Sequence, residues 1–234
     1  NMRNKIFVIS FLLILIFMIG VGLNIKVITK QGVNYHVSEI ELPLYLKVLN
    51  FYDRHFNYKW LAKRITNNLE TKEEKVFRLF QWTHETIRPQ PESLPVMDDH
   101  VWNIYVRGYG VSDNFHDLFT TLCNYIGVDS FFLWLEVKEN RNLPMSFVRL
   151  DRGWVIFDPY KGVYFFNNNG EWATVEDINK KKWEMKKIGS AEISDSFYKP
   201  YLENLPIIGD MGLERANTQS PFNRLLFAFQ QLGF

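Results

Sequence analysis

The sequence predicts an α+β domain behind one N-terminal transmembrane helix, and three observations carry that expectation. An uncharged apolar run fills residues 6–23, segments with helical spacing of apolar residues come next, and short β-branched and aromatic runs separated by turn signals follow. Helices first and strands afterwards is the α+β order. A chain of 234 residues, 47% apolar and 23% charged, can bury a real core and is not of disordered composition. Its 27 basic and 26 acidic residues leave no electrostatic footprint for nucleic acid. Cys123 is the one cysteine, so these residues build neither a disulfide framework nor a multi-thiolate metal site, and no metal or cofactor is expected.

From Ile6 to Leu23 the chain reads IFVISFLLILIFMIGVGL, with Ser10 as the only polar side chain. At about 1.5 Å per residue such a helix spans roughly 27 Å, close to the hydrocarbon thickness of a bilayer. The alternatives are a cleaved signal peptide, whose apolar region usually runs about 7–15 residues to a small-residue cleavage pattern that is missing here, and a buried soluble helix, which rarely lacks a polar face for this long. Residues 1–25 are therefore read as an anchor that sets residues 6–23 against membrane lipid. Arg3 and Lys5 precede the run and Lys26 and Lys30 follow it, so positive charge does not decide the orientation. The short stretch ahead of it points to a signal-anchor, with the domain on the periplasmic or extracytoplasmic side.

Residues 26–70 are expected to form an extended stalk, then one or two helices carrying Leu46, Leu49, Phe51, Phe56, Trp60, Leu61 and Ile65. Thr71 with Glu74 makes a capping box, and the following helix buries Val76, Phe77, Leu79, Phe80, Thr83 and Ile87 before Pro89 ends it. His84 on that helix reads as a core-edge residue. Gly108-Tyr109-Gly110 marks a tight turn, and Ser112 or Asp113 can cap a helix that Gly127 stops. Strands are expected at 130–137, 145–150, 154–157 and 162–166, the middle two joined by the hairpin signal Asp151-Arg152-Gly153.

Three stretches, in this order, resemble the transglutaminase-like (papain-like cysteine protease) superfamily from about Thr71 to Pro159. They are TKEEKVFRLFQWTHETIR, RGYGVSDNFHDLFTTLCNYIGVDS and SFVRLDRGWVIFDPY. The resemblance implies a core of helices packed on an antiparallel sheet over residues 71–188. It also implies a cysteine at a helix start, a histidine on one strand and an aspartate on the next. In this sequence the cysteine position is Ser112, the histidine position is Met145, and only Asp158 stands. Cys123 lies three turns down the same helix on its expected buried face. A helix-start thiol is largely ionised at neutral pH, whereas a serine hydroxyl needs a base and methionine is none. Losing a nucleophile or base costs on the order of 10⁴–10⁶ in rate, so the family's acyl-transfer or peptidase activity is expected to be absent.

A rebuilt site would pair Ser112 with His116, four residues on, or with His100, with Asp158 orienting the ring. The simpler readings make Ser112 a helix cap, His116 a filler behind the former nucleophile, and Asp158 a turn-fixing carboxylate beside Pro159. Asp98, Asp99 and His100 cluster, although adjacent residues rarely close on one ion. Trp102, Tyr109 and Trp154, with His100 and His116, are the candidate groove residues, and packing is the commoner role for such aromatics.

Lys180–Lys182 with Lys186 and Lys187 form a basic patch that reads as a solvated face. Residues 189–234 form an extension, irregular around Pro200, Pro206 and Gly209, that ends in an amphipathic helix from Pro221. That helix needs cover from its own domain, a membrane or another protein. The expected function is that of a membrane-anchored, inactive transglutaminase-like protein, an accessory subunit or binding module with a protein partner in a membrane complex. The alternatives are a serine-dependent hydrolase or acyltransferase on cell-envelope polymer, and a module that holds a sugar or peptide unchanged.

Overall fold

The computed structural model describes residues 2–31, 38–97, 100–137, 141–189, 192–203, 205, 208 and 220–231. Contacts divide the chain into two units, residues 1–53 and 54–234.

In the first unit, helix α1 (Met2–Asn24) is apolar and long enough over Asn4–Asn24 to cross a membrane. Strands β1 (Lys26–Gln31) and β2 (Ser38–Pro43) pair antiparallel from Lys26↔Pro43 to Gln31↔Ser38. The expected extended stalk is thus a hairpin, because two β-branched stretches flank residues 32–37 and satisfy each other's backbone groups. Helix α2 (Leu44–Ile65) is a single helix, and the Leu44 N–H donates to the Ile25 carbonyl at 2.9 Å.

The second unit is built on a five-stranded antiparallel sheet in chain order: β5 (Ser130–Val137), β6 (Arg141–Leu150), β7 (Gly153–Asp158), β8 (Val163–Phe166) and β9 (Glu184–Lys187). The last strand lies inside the lysine-rich segment, where Lys180, Lys181 and Lys186 sit within 3.8 Å of Glu176, Glu203 and Glu184. Alternation along β6 and β7 divides the core in two. Val148, Leu150, Val155 and Phe157 join one cluster with helices α3 (Lys72–Thr86) and α5 (Ser112–Tyr125). Met145, Phe147 and Ile156 join a second with α6 (Val175–Asn179) and α7 (Asp195–Leu202). Helices therefore cover both sheet faces, and the second layer, α6 and α7, was not foreseen.

Helix α3 starts as its sequence requires. The Thr71 hydroxyl accepts the Glu74 N–H at 3.2 Å, and the Glu74 carboxylate accepts the Thr71 N–H at 3.1 Å. That backbone donor holds the Glu74 carboxyl below the usual carboxylate range. Its inner face seats Phe80 against Phe119, Phe157 and Tyr164, with ring centroids 5.2–6.0 Å apart. Helix α4 (Val101–Arg107) precedes α5, and the short strands β3 (Arg88–Pro89) and β4 (Tyr109–Gly110) pair in parallel. The last described element is α8 (Pro221–Gln231), with Phe222, Leu225, Leu226 and Phe229 exposed at one-face spacing. No described residue of the domain covers that face.

Phe80 joins α3 to α5 and the sheet, so its truncation removes packing on three sides. Phe80→Ala should cost about 3–5 kcal/mol in urea unfolding of the full chain in detergent. A cost under about 1 kcal/mol would mean that the helices and sheet do not share this core.

Candidate functional site

The turn before α5 is fixed by one side chain. The Asn114 Oδ1 accepts the Val111 N–H and an Arg107 Nη2 proton, both at 3.2 Å. A Cβ on residue 110 would lie 2.6 Å from that oxygen, so glycine is needed there for close approach. Gly108 is needed for a different reason, a φ of 73° at the end of α4. The cap expected from Ser112 is not made. Val111 holds the cap position, Ser112 is the first helical residue, and Asn114 rather than serine satisfies the turn's N–H.

One turn further, α5 turns His116 toward the sheet, where it is fully buried. Its Nδ1 lies 2.8 Å from the Ser146 hydroxyl, and its Nε2 faces Asp158 Oδ1 at 3.6 Å. The second distance is an electrostatic contact longer than a hydrogen bond. With its proton on Nε2, the ring uses Nδ1 to accept the Ser146 O–H, while the buried Nε2 faces the carboxylate without a hydrogen bond among the described residues. Asp158 is also buried, at 1% exposure, and accepts two hydrogen bonds. The Lys161 N–H donates to its Oδ1 at 3.0 Å, the Tyr198 O–H to its Oδ2 at 2.7 Å, and the His116 ring faces Oδ1. Burial, and then the neighbouring carboxylate, pushes the Tyr198 hydroxyl far above the usual phenol range, so it remains a donor.

Of the residues expected to matter, His116 and Asp158 come together. Met145 is fully buried in the second cluster, on the sheet face away from α5. Ser112 is half-buried at the helix start, and both nitrogens of His116 are turned elsewhere. His100 is half-buried ahead of α4, while Asp98 and Asp99 lie outside the described residues. The aromatics do not share one groove. Trp102 packs edge-on to Tyr58 and beside Tyr105 on the α5 face, whereas Trp154 packs on Phe131 with the second cluster. The Tyr109 ring lies 5.8 Å from the Arg107 guanidinium. His84 contacts the Pro159 carbonyl at 3.1 Å and closes on Gly162, which makes it the core-edge residue expected. Cys123 is buried and burial pushes its thiol up, the opposite of a reactive cysteine. Among the described residues no group of three His, Cys, Asp or Glu side chains is placed to hold a metal.

Ser146, Tyr198 and Asn114 went unnoticed in the sequence. Ser146 left a trace, a small polar residue among Met145, Phe147, Val148 and Leu150. Tyr198 left none, because 40 residues separate it from Asp158. An open depression of about 800 Å³, lined by Ile178, Trp183, Lys199 and Leu202 among others, includes none of these site residues.

Residues 59–159 match the transglutaminase-like superfamily core. Among solved structures the chain is similar to a cysteine-protease candidate from Cytophaga hutchinsonii (15% identity, 61% of this chain and 52% of that chain, TM-score 0.40). It is also similar to a protease candidate from Parabacteroides distasonis (11% identity, 56% and 35%, TM-score 0.38) and to a TGase (12% identity, 74% and 49%, TM-score 0.38). The chain thus spans about half of those chains or less. No curated relative matches.

Two outcomes follow from this geometry. Tyr198→Phe should destabilise the full chain by about 1–3 kcal/mol in urea unfolding, since Asp158 loses a buried donor; an unchanged midpoint would mean the contact is idle. Cys123 should resist iodoacetamide in the native protein and react once urea unfolds it, as mass spectrometry of the intact chain would record.

Proposed function

Because residues 59–159 carry a transglutaminase-like core, we propose that the protein is a membrane-anchored, catalytically inactive relative of those enzymes, acting as an accessory subunit or binding module of a membrane complex. The observation that carries the proposal is the state of the imidazole. His116, carried on α5 beside Asp158, has its nitrogens facing Ser146 and Asp158 in a site closed to solvent. On this reading the serine at the helix start does not have His116 as its base, and methionine at position 145 supplies none. The anchor, α1, confines such a domain to the bilayer face, where binding without turnover is a useful task.

A serine-dependent hydrolase or acyltransferase acting on cell-envelope polymer is the competing proposal. One observation favours it: Ser146, His116 and Asp158 follow the hydroxyl–imidazole–carboxylate order of a triad. Burial of all three weighs against it, because no substrate carbonyl can approach Ser146 while Tyr198 and the sheet enclose the cluster.

The full chain in detergent or liposomes should show no ester hydrolysis, amide hydrolysis or amine incorporation into glutamine peptides above the buffer background. Ser112→Ala and Ser146→Ala, each checked by circular dichroism for a native fold, should match the unsubstituted protein. Turnover that either variant abolishes would replace the inactive reading with the serine-dependent one.

A further inference from the structure

Helix α2 begins at the foot of the anchor. Its first residue, Leu44, donates its N–H to the carbonyl of Ile25, one residue beyond the end of α1, and the neighbouring pair Lys26↔Pro43 ties the two hairpin ends together. The opening turns of α2 are therefore fixed at the depth where α1 stops. Those turns carry Tyr45, Val48, Leu49 and Tyr52, the i, i+3, i+4, i+7 spacing of one helical face, and all four are exposed, Leu49 at 59%. Ile25 is exposed beside them, while Asn50 lies on another side of the helix.

We propose that this face lies flat in the bilayer interface as a membrane-docking collar around the exit of α1. The occupant is lipid, on the ground of continuity. A spanning helix sets its own end at the headgroup level, and an apolar face bonded to that end meets the same level. The composition suits the place, since two tyrosines combine an apolar ring with a hydroxyl that stays hydrated, as in the aromatic belts of membrane proteins. The helix would lie with an apolar stripe in the acyl–headgroup boundary, as interfacial helices do. The collar would fix the direction in which the chain leaves the bilayer, which one spanning helix by itself leaves free to rotate. This inference rests on α1 spanning the bilayer, but not on whether the domain is inactive.

Nitroxide labels placed by Leu49→Cys, Asn50→Cys and Ile14→Cys in the full chain test it in vesicles of phosphatidylethanolamine with a minority of phosphatidylglycerol. Collision with oxygen reports lipid, and collision with a water-soluble nickel chelate reports solvent. The expected oxygen-to-nickel ratio at Leu49 is several-fold above that at Asn50 and approaches that at Ile14. Equal ratios at Leu49 and Asn50, with Ile14 still in lipid, would overturn the collar and leave the anchor standing. A Leu49 label shielded from both reagents and broadened by a second label would put another copy of the chain on the face, and would also overturn it. A solvent-exposed Ile14 label would remove the anchor and the collar together.

Discussion

The second unit is organised around the contact of His116 with Ser146 and Asp158. It joins helix α5 to strands β6 and β7 in a place buried from solvent. A buried imidazole and carboxylate are tolerated only when their polar atoms find partners. Here Ser146 serves His116 Nδ1, Lys161 and Tyr198 serve Asp158, and His116 Nε2 is left facing the carboxylate at 3.6 Å without a hydrogen bond among the described residues. Remove any one and a polar atom is stranded in a core of phenylalanines. The elements that provide the three partners, β6, the turn after β7, and α7, are held in place by this requirement as well as by apolar packing.

In this contact the imidazole comes from α5, the hydroxyl from β6 and the carboxylate from β7. Met145 packs in the opposite cluster with Phe147 and Ile156, where a thioether fills volume at no polar cost. Tyr198 from α7 covers Asp158 on its other side.

Much of this was legible in the sequence because it depended on local rules. The Thr71–Glu74 box, the Gly108 turn and the four central strands follow from capping, positive φ and alternation, all within a few residues. Cys123 fell on the buried side of α5 by helical spacing alone. What was illegible depended on the third dimension. Ser112 looked like a cap because serine commonly is one, but Asn114 took the Val111 N–H from inside the helix. Tyr198 sat in a stretch with no periodicity, and its partner was chosen by tertiary packing. The pairing of β1 with β2 went unforeseen because nothing in residues 26–45 distinguishes a hairpin from an extended stalk.

The account stands or falls on whether the His116 ring is sealed. Long-range proton–nitrogen correlation spectra of protein labelled with ¹⁵N-histidine report which ring nitrogen carries the proton and how fast it leaves. We expect one tautomer, with the proton on Nε2, Nδ1 accepting, and exchange with water far slower than at a solvent-exposed histidine. A ring that averages between tautomers, with protons lost rapidly to solvent, would describe an accessible base and contradict the account.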